Sequence, residues 1–284
     1  MDSSLFFIIG NPRSGTTLLR LMLTSHKSIL VPPEAGFIIW LADKYLDKDF
    51  SQKKVISDFV RDLVQTRKFE TWNLDANKIE NHLLIMKSLN YQDAAILVYK
   101  LYNKVIGKNA IIIGDKNNFY IKFLPKLKIL FPRAKFIFIV RDGRDVVCSY
   151  RSVMACRHRS KYAPKLPTSI EEIASEWSEN NLELIRNFGR ESIIIRYEDL
   201  LCNPEASLSS ICNHLGLIFD PEMISNYGIM AKTYNPEEFM NWNNKLTSPL
   251  DKENIGKYKS VLTTEEIRLF NRIAESELRY FNYL

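Results

Sequence analysis

One stretch near the start, Leu5-Phe6-Phe7-Ile8-Ile9-Gly10-Asn11-Pro12-Arg13-Ser14-Gly15-Thr16-Thr17-Leu18, constrains this chain more than any other. Its run of large apolar residues reads as a buried strand, Gly10 to Gly15 as a tight loop, and Thr16 onwards as a helix. Strand, glycine loop and helix N-terminus together form an anion cradle, because backbone N–H groups and the helix dipole point at one spot. The Gly10-x-x-x-x-Gly15 spacing is that of a phosphate-binding P-loop, which would continue with Lys and then Ser or Thr. Thr16 and Thr17 stand there instead, so the lysine of a nucleotide triphosphatase is missing and Arg13 is the nearest replacement cation. An ordinary glycine turn would need neither the fixed spacing nor the arginine.

Later apolar runs repeat the pattern. Ala110–Lys116 reads as a second core strand with Asp115 and Lys116 at its C-terminal end. Lys135–Val140 reads as a third, running into Arg141-Asp142-Gly143-Arg144-Asp145 and then a helix through Ser149 and Tyr150. Ser192–Tyr197 reads as a fourth, followed by Glu198-Asp199-Leu200. Helices between them put the strands in parallel, which predicts an α/β fold: a P-loop NTPase-like parallel central sheet flanked by helices. Residues 43–109 read as two or three helices, an insert covering the acceptor pocket of a single domain spanning 1–284. Ile29-Leu30-Val31 reads as a short extended piece stopped by Pro32 and Pro33, and Thr264–Tyr280 as a last helix. Parallel sheets place ligands at the C-terminal ends of their strands, so Lys116, Arg141 and Ser149 are candidates to face an anion at the first loop.

Two residues carry alternatives. Glu34, after the prolines, is either a first-turn helix residue or a catalytic base. Asp115 is where a P-loop ATPase would hold Mg²⁺, which keeps a MgATP-dependent kinase as an alternative beside a non-catalytic nucleotide- or nucleic-acid-binding protein. Between Lys122 and Lys161, eleven Lys or Arg face two Asp, a local balance of +9 against +6 for the chain. Such a block is a solvated face or a funnel for a polyanion, and its residues 151–168 read as a basic loop. No nucleic-acid motif accompanies it, and nucleic acid is not an expected partner. Cys148, Cys156, Cys202 and Cys212 show no metal or redox spacing and read as buried thiols. The four histidines form no ligand pair, so no metal is expected. No apolar run is long enough to span a membrane. Strand one begins too early for a leader peptide, so the expectation is a cytoplasmic protein, or a catalytic domain separated from its anchor.

Pro12-Arg13-Ser14-Gly15-Thr16-Thr17 resembles the 5′-phosphosulfate loop of sulfotransferases that use 3′-phosphoadenosine 5′-phosphosulfate (PAPS). Phe138-Ile139-Val140-Arg141-Asp142-Gly143-Arg144-Asp145, with Ser149 eight residues after Arg141, resembles their 3′-phosphate motif. Arg196-Tyr197-Glu198-Asp199-Leu200 followed by Pro204 fits more loosely. The likeness is nearest to the tyrosylprotein-sulfotransferase-like and bacterial branch. It implies that Arg13, Ser14, Gly15, Thr16 and Thr17 bind the phosphosulfate and that Arg141 and Ser149 hold the 3′-phosphate. Tyr197 and Lys257 would complete the nucleotide site. Glu34, Arg13 and Lys116 would be catalytic. The late region offers no serine at the family's expected spacing. The implied reaction is metal-independent in-line sulfuryl transfer from PAPS to an acceptor hydroxyl of a tyrosine, sugar or small molecule, leaving 3′-phosphoadenosine 5′-phosphate (PAP). A sulfuryl group carries less charge than a phosphoryl group, so fixed cations can replace Mg²⁺, which rationalises a P-loop without its lysine.

Overall fold

A computed structural model describes residues 4–86, 90–155, 161–234 and 244–284. Its centre is a five-stranded, all-parallel sheet made of β1 (Ser4–Ile9), β2 (Ile29–Leu30), β3 (Ile112–Lys116), β4 (Lys135–Val140) and β5 (Ser192–Arg196). The spatial order is β2-β3-β1-β4-β5. The predicted fold class is therefore the observed one. Strands buried on both faces need no polar alternation, and β1 shows why: Leu5, Phe7 and Ile9 join one core, Phe6 and Ile8 the other. The piece expected to be merely extended, Ile29-Leu30, pairs with Ile112 and Ile113 as the sheet's edge. Strand order reverses around β1, so the crevice for a ligand opens beyond its C-terminal end.

One face of the sheet is covered by α1 (Thr16–Ser25), which starts and stops where the apolar spacing places it, and by the helices between Tyr197 and Tyr234; the last two helices pack on the other face. The other face receives the insert: α2 (Phe37–Trp40), α3 (Ala42–Tyr45), α4 (Lys53–Val64), a 3₁₀ turn Phe69–Trp72, α5 (Ala76–Ile85) and α6 (Tyr91–Val105). These helices share a core with the sheet, through Phe37, Phe59, Trp72 and Tyr99. After them come α7 (Leu124–Leu130), α8 (Gly143–Ala155) and α9 (Ile170–Arg186), the last opened by a Ser169–Glu172 capping box. The single late helix that was expected is two, Thr264–Ile273 and Glu275–Tyr280, broken at Ala274 so that Phe270, Leu278 and Phe281 are all buried. Of the cysteines, Cys148 and Cys212 are buried as expected, but Cys202 is exposed; Cys156 lies outside the described residues. Among the described residues no helix is long and apolar enough to cross a membrane.

The C-terminus is fastened to the sheet by charge. Arg144 grips Asp142 in a two-point bridge, Nε to Oδ1 at 2.9 Å and an Nη to Oδ2 at 2.7 Å. It also donates to the Tyr283 carbonyl at 2.7 Å and lies 4.2 Å over the Tyr258 ring. Tyr283 donates its hydroxyl to Glu198, which in turn accepts the Asp142 backbone N–H. Both partners of the Arg144–Asp142 bridge are buried, so Arg144→Ala should lower unfolding free energy by about 3 kcal/mol or more in urea titration. Lys126→Ala, which breaks a bridge to the exposed Asp43, should cost no more than about 0.5 kcal/mol.

Candidate functional site

The loop after β1 is shaped by two residues with left-handed backbone, Arg13 (φ 68°) and Gly15 (φ 90°). At Gly15 a side chain is also blocked by space, since a Cβ would sit 2.4 Å from the Tyr197 ring. At Gly10 it would meet the Ile139 carbonyl at 2.4 Å. Glycine is what lets the loop approach β4 and Tyr197 this closely. Asn11 pins the turn: it donates to the Pro12 carbonyl at 3.0 Å and accepts from Asn180 of α9 at 2.7 Å. At the start of α1, Gly15 supplies no side-chain cap and the first turn holds no acid. The orphan N–H groups of that turn are therefore left for an anion.

Around this loop three predicted residues converge. Arg13 Nε donates to Ser149 Oγ at 3.2 Å. Arg141 donates to the Arg13 carbonyl at 3.1 Å and to the Asn254 carbonyl at 2.9 Å, with its guanidinium 4.5 Å over the Tyr197 ring. Burial, and then the neighbouring Arg141 charge, pull the Arg13 guanidinium down to about 10. Arg141 Nε and Ser14 Oγ are buried without a hydrogen-bond partner among the described residues. Buried polar atoms without partners are costly, and a multiply charged anion in this cradle would satisfy such donors.

Beyond the loop lies the carboxylate. Glu34 Oε1 is paired with Lys116 Nζ and Oε2 with Lys68 Nζ. Burial would raise the Glu34 carboxyl, but Lys116 and then Lys68 overcome it and hold the group well below the usual carboxylate range. Burial likewise lowers the Lys116 ammonium, with Glu34 opposing. Asp115, next to Lys116 along the strand, faces the other way. Its Oδ2 accepts from Tyr99 and Tyr120, each at 2.7 Å, and its Oδ1 from Asn117 at 2.6 Å. The group is closed by these three donors and does not border the cleft, so the Mg²⁺-ligand reading and the kinase alternative find no support.

Pro12, Arg13, Gly15, Thr16 and Thr17 line a single cleft of about 880 Å³ together with Glu34, Lys116, Arg141, Ser149, Tyr197 and Lys257. Ser14 alone of the predicted site residues lies behind its wall. Lys257 is brought there by Asp145, whose carboxylate accepts the Gly256 and Tyr258 N–H groups at 2.7 and 2.9 Å. Sequence reasoning missed Lys68, which no local pattern marks, and Arg20, which lines the cleft and donates to the Val31 carbonyl at 3.1 Å. An arginine inside the apolar run of α1 was the available signal for the second. The basic block does not form one funnel. Lys126 pairs with Asp43, Lys128 with Glu191, Arg151 with Glu266 and Lys161 with Glu70, while Lys122 and Arg141 of the block line the cleft. Arg157 and Arg159 of the predicted basic loop lie outside the described residues.

Comparison with known proteins gives a consistent answer. The chain matches the Sulfotransferase family over residues 6–221. Protein-tyrosine sulfotransferase 1 of Danio rerio is 26% identical over 235 residues, 81% of this chain and 58% of the relative. This chain thus spans little more than half the length of that relative. The sulfotransferase domain from the curacin biosynthetic pathway superposes with TM-score 0.58 at 22% identity, covering 95% of this chain and 97% of its own. A mouse sulfotransferase complexed with PAP gives 0.54 at 14% identity, covering 98% and 86%. The structural likenesses establish the fold.

Asp115 supplies the test of this geometry. Burial raises its carboxyl to about 6, against the tyrosine and Asn117 hydrogen bonds that lower it. The folded state therefore binds the proton more tightly than the unfolded chain, and stability should fall as pH rises from about 4 to 6. Asp115→Asn should remove this group's contribution to that slope in pH-dependent urea unfolding without changing the cleft lining, since the group is walled off from it.

Proposed function

This chain belongs to the Sulfotransferase family, and from that premise we propose that its cleft transfers a sulfuryl group from PAPS to an acceptor hydroxyl. The observation that carries the reading is the meeting of Glu34 and Lys116 with the uncapped glycine loop in one cleft. PAPS would supply an activated sulfuryl group on a phosphate leaving group. The buried Arg141 Nε, without a partner among the described residues and on the cleft wall, fits one of its anionic ends. Arg13, Ser14, Gly15, Thr16 and Thr17 would hold the phosphosulfate, and Arg141 with Ser149 the 3′-phosphate. Tyr197 and Lys257 flank the same nucleotide site.

In this reading Glu34 accepts the proton of the acceptor hydroxyl as its oxygen bonds to sulfur, and the S–O bond to the donor phosphate breaks. Arg13 and Lys116 balance charge on the sulfuryl oxygens and the leaving phosphate, and Thr16 and Thr17 donate hydrogen bonds. A carboxylate held ionised suits a base that must be unprotonated before the acceptor arrives. Tyrosine, sugar and small-molecule hydroxyls all satisfy this chemistry. The Arg67, Lys68, Lys122 and Lys165 rim favours an acceptor that carries negative charge.

Calorimetry with PAP in the presence of EDTA, beside ATP with Mg²⁺, tests the donor class. PAP should bind without metal and more tightly than MgATP; preference for MgATP would overturn the proposal. Arg141→Ala should weaken PAP by roughly 10- to 100-fold while barely changing adenosine 5′-phosphate, which lacks the 3′-phosphate. Glu34→Ala should cut sulfation of a phenol, glycan or tyrosyl peptide accepted by the unmodified chain by about 100-fold or more, with PAP affinity nearly intact.

A further inference from the structure

Glu34 is held at both oxygens, by lysines from opposite directions. Lys116 comes from the sheet and is almost wholly buried. Lys68 comes from the insert, is about one-fifth exposed and lines the cleft. Each oxygen keeps a second lone pair for an acceptor hydroxyl, but an ammonium on both lowers the carboxylate's basicity, so opening one of the two pairs before transfer would strengthen the base. The structure distinguishes them. Lys116 is the buried cation beside the loop that would hold the donor. Lys68 stands on a turn that is bolted to the chain around Glu34 itself.

That turn is over-determined. Lys68 adopts φ 72°, an unfavourable conformation for a lysine. Four residues on, Trp72 Nε1 donates to the carbonyl of Pro33 at 2.9 Å, the residue before Glu34. Phe69 and Trp72 both meet the Phe37 ring edge-on, at 5.8 Å. Glu70 ties the far side of the turn to the cleft wall, pairing with Lys161 at 2.8 Å and with the Tyr162 hydroxyl. A loose surface lysine meeting a carboxylate by chance needs none of these anchors.

We propose that Lys68 is a positioning residue: it keeps hold of Glu34 Oε2, so that Oε1, released when Lys116 turns to bound donor, is the oxygen presented to the acceptor hydroxyl. The inference rests on the reading of Glu34 as the base. Lys68 then does for the carboxylate what a fixed hydrogen-bond partner does for a catalytic imidazole. It sets orientation and keeps the group ionised through the moment when Lys116 leaves. Two further charges act on Glu34 at longer range and with opposite sign, Arg20 of α1 and Asp115 of β3, the latter turned away from it.

The test uses the full chain and PAP as the probe. The Glu34 side-chain carboxyl is followed by ¹³C NMR from pH 8 down to the acid limit of folding, its resonance assigned by its loss in Glu34→Gln. In the unmodified PAP complex Glu34 should stay ionised to near that limit. In Lys68→Met and Lys68→Gln its titration should move up by about one pH unit or more, with Lys68→Arg restoring the original behaviour and PAP affinity unchanged within about threefold. An unmoved Glu34 titration in both variants would overturn the inference. So would a loss of PAP affinity of tenfold or more, which would put Lys68 on the donor. Sulfation retained by Glu34→Gln would instead overturn the base reading, and it is measured separately from the titration.

Discussion

Burying charge at the C-terminal edge of a parallel sheet is tolerable only where each charge finds a partner, and this edge carries an unusual number of them. Asp115, Lys116, Arg141, Asp142, Arg144 and Asp145 are all buried within a few residues of strand ends. Most are closed. Asp142 and Arg144 satisfy each other, Asp145 accepts two backbone N–H groups, and Asp115 is saturated by two phenols and an amide. Arg141 Nε and Ser14 Oγ lack partners among the described residues, as do Asn118 Oδ1, Asn181 Oδ1, Ser192 Oγ and Arg196 Nε; what sets the first two apart is the uncapped helix start beside them.

The Arg141–Asp145 segment divides its labour between these two classes. Arg141 reaches back to the loop while its own carbonyl is held by Trp177 Nε1 at 3.0 Å. Asp142 and Arg144 anchor the C-terminus, and Asp145 fixes the Gly256–Tyr258 turn that carries Lys257. A single motif therefore both contacts the ligand site and ties a segment more than a hundred residues away to its rim. The late chain is placed by charge as much as by apolar packing.

What was legible in the sequence was local. The glycine spacing marked the loop, and the apolar runs marked β1, β3, β4 and β5, because a strand buried on both faces is written in consecutive residues. Ile29-Leu30 was missed as a strand because two residues carry no pattern, and only pairing with β3 makes them one. Asp115 kept a Mg²⁺-dependent alternative open, although alternation along a strand already required that it and Lys116 face opposite sides. Residue types did not reveal which of the two faced the loop. The +9 block left a solvated face and a funnel both open because counting charges ignores partners, and Lys126, Lys128, Arg151 and Lys161 each have one elsewhere. Lys68 lies 34 residues from Glu34, and nothing local announces their meeting.

The double pairing of Glu34 also bears on the proposal of sulfuryl rather than phosphoryl transfer. A P-loop lysine and a strand-end aspartate together recruit and bind a metal nucleotide. Here the loop lysine is absent and the strand-end aspartate is turned into the core, so both halves of that apparatus are disabled at once. The strand-end position that does face the cleft is Lys116, a cation already in place. A fixed ammonium can follow charge as it moves from the sulfuryl oxygens to the leaving phosphate without being recruited from solution. It also holds the Glu34 carboxylate, and on the proposed reading an anion competing for Lys116 would make that carboxylate a stronger base, so that donor binding would itself activate it.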